Sequence, residues 1–146
     1  MCLFLHPGPR SRAPLLFLCT FLVLAGNALA DCSIRPTGYS DDFGFGLAVA
    51  LPGDLNGDGH PDFAIGATTF DAEGSTVPGR VHIFLGGPAV DPIPDLSVVG
   101  EALGDRFGYA LEGAGDLNGD GWRDLVVGAY QNDAAGDNAG RAYVYF

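Results

Sequence analysis

The chain has 146 residues, with 18 acidic side chains against 7 basic ones, a net charge of −11 and no lysine. That balance excludes a nucleic-acid interface built on a basic face. The 23 glycines and 10 prolines point to a turn-rich fold that is poor in helix.

Residues 1–30 read as a secretory signal peptide. Arg10 and Arg12 give a positive start, residues 15–26 (LLFLCTFLVLAG) an apolar run, and Ala28-Leu29-Ala30 a small-residue cleavage site. The run is shorter than the roughly 18–20 residues a membrane-spanning helix needs, so no span is expected after cleavage. A signal anchor is the alternative. LADC at 29–32 also has the outline of a lipoprotein box, in which Asp31 fits poorly. Cleavage after Ala30 removes Arg10 and Arg12, keeps every acid, and takes the charge from −11 to −13. Cys2 and Cys19 leave with the leader. Cys32 then stands alone, which excludes an internal disulfide. The product is expected outside the cell, on its surface or in a periplasm, with residues 31–40 as an N-terminal linker.

Next comes a repeat. FGLAVALPGDLNGDGHPDFAIGA (45–67) aligns with FGYALEGAGDLNGDGWRDLVVGA (107–129) at an offset of 62, with 13 of 23 positions identical. GRVHIF (79–84) aligns with GRAYVY (140–145) at an offset of 61. The unit is therefore about 60 residues, a period typical of repeat architectures. Within it the apolar runs are short and bounded by turn residues: 45–51, 63–67, 81–85 and 96–99 in the first unit, 125–129 and 142–146 in the second. All are of strand length. Four short antiparallel strands per unit is the arithmetic of a β-propeller blade. The fold expected is all-β: one complete blade over 41–103 and a second, lacking its fourth strand, over 104–146. Closing a propeller would need further blades or a partner chain.

The loop between the first two strands of each unit is the candidate site. DLNGDGHPD places hard oxygens at Asp54, Asn56, Asp58 and Asp62, a sharp turn at Gly59 and a free carbonyl at His60. The second copy supplies Asp116, Asn118, Asp120, the Trp122 carbonyl and Asp124. Calcium takes six to eight such oxygens at about 2.3–2.6 Å, whereas magnesium demands strict octahedral geometry and keeps its waters. The competing reading is an ion-free Asx turn, since Asn-Gly and Asp-Gly turn readily. Three carboxylates in nine residues with no lysine nearby favour the cation. An EF-hand or dockerin loop is excluded: position 12 is Ile65 or Val127 where an acid is needed, and a strand follows where a helix is needed.

Phe45-Gly46, the acidic loop and Gly66-Ala67-Thr68, with Gly128-Ala129-Tyr130 in the second copy, together resemble the FG-GAP repeat. That repeat builds the seven-bladed propeller of integrin α-subunits and occurs in many secreted bacterial proteins. The resemblance implies two structural Ca²⁺ sites, on Asp54, Asn56, Asp58, His60 and Asp62 and on Asp116, Asn118, Asp120, Trp122 and Asp124. The proline that ends the family motif is Thr68 and Tyr130 here, which touches the local turn alone. The implied function is a secreted, non-catalytic module for recognition or cell adhesion, its partner an extracellular protein or glycan. The alternative is an accessory propeller of an exported hydrolase, such as a phospholipase or a polysaccharide-degrading enzyme. A soluble calcium buffer is a third reading, and rigid strands without sensor helices argue against it.

The remaining conspicuous residues have structural readings. Phe45 and Phe107 are expected to pack between blades, with their glycines admitting close backbone approach. Arg80 and Arg141 recur at one repeat position and suit salt bridges. His82 alternates with Val81 and Ile83 and is expected on the outward face of its strand. Trp122 is expected at the rim, packed on its own blade or exposed as a contact residue. No serine stands in a G-x-S-x-G context.

Overall fold

The computed structural model describes residues 34–68 and 78–146. The expected leader at 1–30, Cys32, and part of the loop joining the second and third strands lie outside them. Among the described residues there are seven strands and no helix, so none that could cross a membrane. The strands are β1 (Ala48–Gly53), β2 (Asp62–Ala67), β3 (Arg80–Phe84), β4 (Leu96–Val99), β5 (Phe107–Gly115), β6 (Asp124–Ala129) and β7 (Arg141–Tyr145).

They form two antiparallel meanders in chain order, β1-β2-β3-β4 and β5-β6-β7. These are the complete and the three-stranded blade that the repeat predicts. Equivalent registers recur: Val49 pairs with Ile65 and Ile65 with His82 in the first sheet, Leu111 with Val127 and Val127 with Tyr143 in the second. Each first strand shifts register near its end, between Ala50 and Gly53 and between Gly113 and Gly115, so the chain turns out of the sheet into the acidic loop.

The core lies between the sheets. Ala50, Ala64, Val81 and Ile83 of the first blade meet Phe107, Leu111, Leu125, Val127 and Ala129 of the second. The joint is tightest at Phe107-Gly108. A methyl group added at Gly79 would collide with the Phe107 carbonyl oxygen, one at Gly66 with the Gly108 carbonyl oxygen, and one at Gly100 would sit 2.6 Å from the Phe107 Cβ. Glycine is required where backbones approach this closely. The Phe107 ring then turns edge-on to Tyr143 of its own blade, with centroids 5.2 Å apart.

Two expectations about the first blade change. The first strand begins at Ala48 rather than at Phe45, because Gly44 (φ 70°) and Gly46 (φ 88°) hold the preceding residues in turns. His82 is buried, not outward-facing. The segment before β1 folds over it: Nε2 lies 2.7 Å from Asp42 Oδ2, Nδ1 lies 2.8 Å from Ser97 Oγ, and Tyr39 and Phe45 flank the ring. Asp42 also takes Arg80 at 2.6 Å, so one buried carboxylate holds two neighbouring β3 side chains. Arg141, one repeat on, pairs with Glu101 at 2.6 Å in the open. Both arginines thus make the salt bridges expected of them.

Candidate metal centre

Both acidic loops leave their blade at the same point and close in the same way. In the first, Asp54 Oδ1 accepts hydrogen bonds from the N–H groups of Gly57 (2.7 Å) and Asp58 (3.1 Å), and Asp54 Oδ2 from Gly59 (2.7 Å). Asn56 Oδ1 accepts from the Asp58 N–H at 3.0 Å, while its Nδ2 donates to Asp58 Oδ2 at 3.0 Å. Asp58 Oδ1 accepts from the His60 N–H at 2.9 Å. The second loop repeats this bond for bond with Asp116, Asn118, Asp120 and Trp122, at 2.6–3.1 Å. The glycines at the turns, Gly57 and Gly59, lie at φ 73° and 88°, which only glycine adopts freely.

The ninth residue anchors each loop. Asp62 is fully buried at the start of β2; its Oδ2 accepts from the Leu55 N–H at 2.7 Å and its Oδ1 from Gly86 at 2.7 Å. Asp124 is equally buried and its Oδ2 accepts from Leu117 at 2.6 Å, but its Oδ1 has no hydrogen-bond partner among the described residues. The first loop is thus tied to the turn after β3 as well as to its own strand.

The four oxygen-bearing side chains of each loop are therefore gathered by backbone N–H donors. Their charges are met by those donors rather than left to repel. Hydrogen bonding to the Asn56 side chain, then to the His60 N–H, holds the Asp58 carboxyl below its ordinary value. Among the described residues no group of three His, Cys, Asp or Glu side chains converges as a ready ligand shell. The donor chemistry nevertheless suits a hard divalent cation. An ionised carboxylate offers about four lone-pair sites, and Asp58 and Asp62 each use two of theirs on hydrogen bonds. Asp58 and Asp120 are solvent-exposed, so rotation of their side chains costs no packing.

Sequence reasoning missed one partner here. Trp122 is 46% exposed, in keeping with an exposed contact residue at the rim, but its ring also reaches the neighbouring blade. It lies over the first loop: a methyl group at Gly57 would stand 2.8 Å from Cζ3 and 3.0 Å from Cη2 of the indole. Arg123 follows, its Cγ 3.2 Å from the corresponding point at Gly53. Gly57 leaves room for the ring.

A family model described as FG-GAP repeat matches residues 45–84 and 107–145, together more than half of the chain. The chain is 42% identical over 103 residues to integrin alpha-PS2 of Drosophila melanogaster, covering 66% of this chain and 7% of that one. It is 41% identical over 116 residues to integrin alpha-7 of Homo sapiens, with 78% and 9% covered. Against integrin alpha-IIb of Mus musculus it is 41% identical over 106 residues, with 71% and 10% covered. The chain thus spans at most a tenth of the length of these relatives.

Proposed function

The chain belongs to the FG-GAP repeat family, and on that premise we propose that each acidic loop holds one structural calcium ion, bracing a propeller segment that serves extracellular recognition of the adhesion type. One observation carries the reading. The same loop is built twice, with the same hydrogen bonds, at the same point of two successive blades.

Asp54, Asn56, Asp58, the His60 carbonyl and Asp62 would hold one ion, and Asp116, Asn118, Asp120, the Trp122 carbonyl and Asp124 the other. When bound, the ion supplies charge neutralisation and cross-bracing, not bond chemistry. The chain's own part is to gather the carboxylates with N–H donors and to fix the loop ends on buried aspartates at the starts of β2 and β6. Similarity to integrin alpha chains supports the adhesion reading, with an extracellular protein or glycan as partner and no catalysis in this segment.

Thermal melts in EDTA and in millimolar calcium test the proposal. Ligand at about 100 times its Kd stabilises the folded state by about 2.7 kcal/mol per site, which raises Tm by on the order of 10 °C for each site in a domain of this size. Combining Asp58→Ala with Asp120→Ala abolishes the rise. A melt indifferent to calcium in the unaltered chain returns both loops to Asx turns.

A further inference from the structure

Resting on that calcium reading, the geometry points to a further property: the two loops form one coupled cation-binding unit, and Trp122 is the residue that couples them. Trp122 belongs to both loops at once. Its backbone is the seventh residue of the second loop, where its N–H donates to Asp120 Oδ1 at 2.9 Å and its carbonyl is the proposed ligand. Its ring lies on the fourth residue of the first loop, Gly57.

Gly57 is a sensitive place for that contact. It sits between the proposed ligands Asn56 and Asp58, and its N–H donates to a third, Asp54 Oδ1, at 2.7 Å. Its φ of 73° leaves no side chain of its own to buffer the ring. The ring therefore rests directly on the peptide that must hold its path if Asn56 and Asp58 are to face one ion. Arg123 adds a second contact beside Gly53, just ahead of Asp54. The pair Trp122-Arg123 thus covers the first loop at its entry and at its middle.

The two loops differ in their surroundings. His60, the seventh residue of the first loop, lies instead against its own blade: its Cβ is 3.3 Å from the position of a methyl group at Gly86. Gly119, which corresponds to Gly57, has no atom of the described residues beyond its chain neighbours within 4 Å of the same position. Among the described residues it is the first loop that is capped by its neighbour.

An ion held by the second loop fixes the Trp122 backbone and so the ring. The first loop then binds with part of its ordering already done. Binding to the first loop in turn fixes Gly57 and steadies the ring and the backbone behind it. Such coupling is reciprocal by thermodynamic necessity, with factors typically of about 5 to 150.

Calcium titrations of the full chain by calorimetry, with the fluorescence of Trp122 followed in parallel, test this. Trp122 is the only tryptophan in the sequence, so the signal has one source. We expect the intact chain to bind two ions. Asp120→Ala should weaken the first loop at least about five-fold, and Asp58→Ala should weaken the second by the same factor. Filling the first loop in Asp120→Ala should still change the fluorescence. Trp122→His, which places the first loop's residue at this position, should keep two ions at the affinities of the single-loop variants. One ion bound by each single-loop variant, at the affinity that loop has in the intact chain, would overturn the coupling and leave the calcium reading standing. No binding heat in the intact chain would overturn both. The comparison of Asp58→Ala with Asp120→Ala needs no change at Trp122, so it decides the matter even if Trp122→His folds poorly.

Discussion

Gly66 on β2 and Gly108 on β5 touch backbone to backbone across the two sheets, with no room at Gly66 for even a methyl group. The obstacle is a carbonyl oxygen in a strand, which cannot swing aside as a side chain can. Gly66→Ala should therefore cost about 1–3 kcal/mol by overpacking. Gly128→Ala, one repeat on, meets only the Ala110 Cβ at 3.3 Å within its own blade and should cost less. Urea unfolding of the two variants side by side checks this. Equal losses would show that the junction is not what makes Gly66 necessary.

Arg80 and Arg141 share a repeat position but not an environment. The Asp42 side chain is 1% exposed and holds both Arg80 and His82, whereas the Arg141 and Glu101 side chains are 38% and 53% exposed. Asp42→Ala takes the shortest partner from both, leaving Arg80 its 3.4 Å contacts with Asp41 and His82 its bond to Ser97, and should cost about 2–3 kcal/mol. Glu101→Gln should cost under about 1 kcal/mol. Denaturant midpoints measured for the two variants decide it. Comparable losses would mean that the N-terminal segment contributes little to the fold.

Within each acidic loop the fifth and ninth residues should behave differently. Asp62 is buried and satisfies the Leu55 and Gly86 N–H groups, so Asp62→Ala should lose about 2–3 kcal/mol even in EDTA. Asp58 is exposed on the loop, and Asp58→Ala should change stability in EDTA by less than about 1 kcal/mol. Its effect should appear only when calcium is added. Melts of both variants with and without the ion separate the anchoring role from the ligating one.

Tyr143 offers a test in alkali. Burial, then hydrogen bonding to Glu101, pushes its phenol above the usual value of 10.0. A raised folded pKa means that the folded state holds the proton more tightly. The contribution to stability is full below pH 10 and is lost as pH rises through the folded value. Tyr145 is pushed the same way by burial and the Glu101 charge, so absorbance titration should show two late-ionising tyrosines that move earlier in Glu101→Gln. A titration unchanged by that substitution would detach Glu101 from Tyr143.

Much of this was legible because repetition marks what the fold needs. The acidic nonapeptide, the glycines of Phe107-Gly108 and those at Gly66 and Gly79 recur in sequence, and each has a local physical reason: a tight turn, or backbones in contact. The strands follow from apolar runs punctuated by glycine. Two features depended on partners far along the chain. His82 reads as an outward residue because alternation assigns its face but cannot supply the cover; Asp42, Tyr39 and Phe45 provide that from an irregular segment with no periodic signal. Trp122 reads as a rim residue because its partner, Gly57, belongs to the other repeat. Alignment places those two loops in register, but it does not show that one leans on the other.

The backbone contact at the junction sets a gauge. Because Gly66 and Gly79 meet the carbonyls of Gly108 and Phe107 with no side chain between, the spacing of adjacent blades is fixed by peptide dimensions. Residues elsewhere on the sheets can then change size or charge without altering the pitch from one blade to the next. A surface mounted on such a frame can diversify freely while its curvature stays constant.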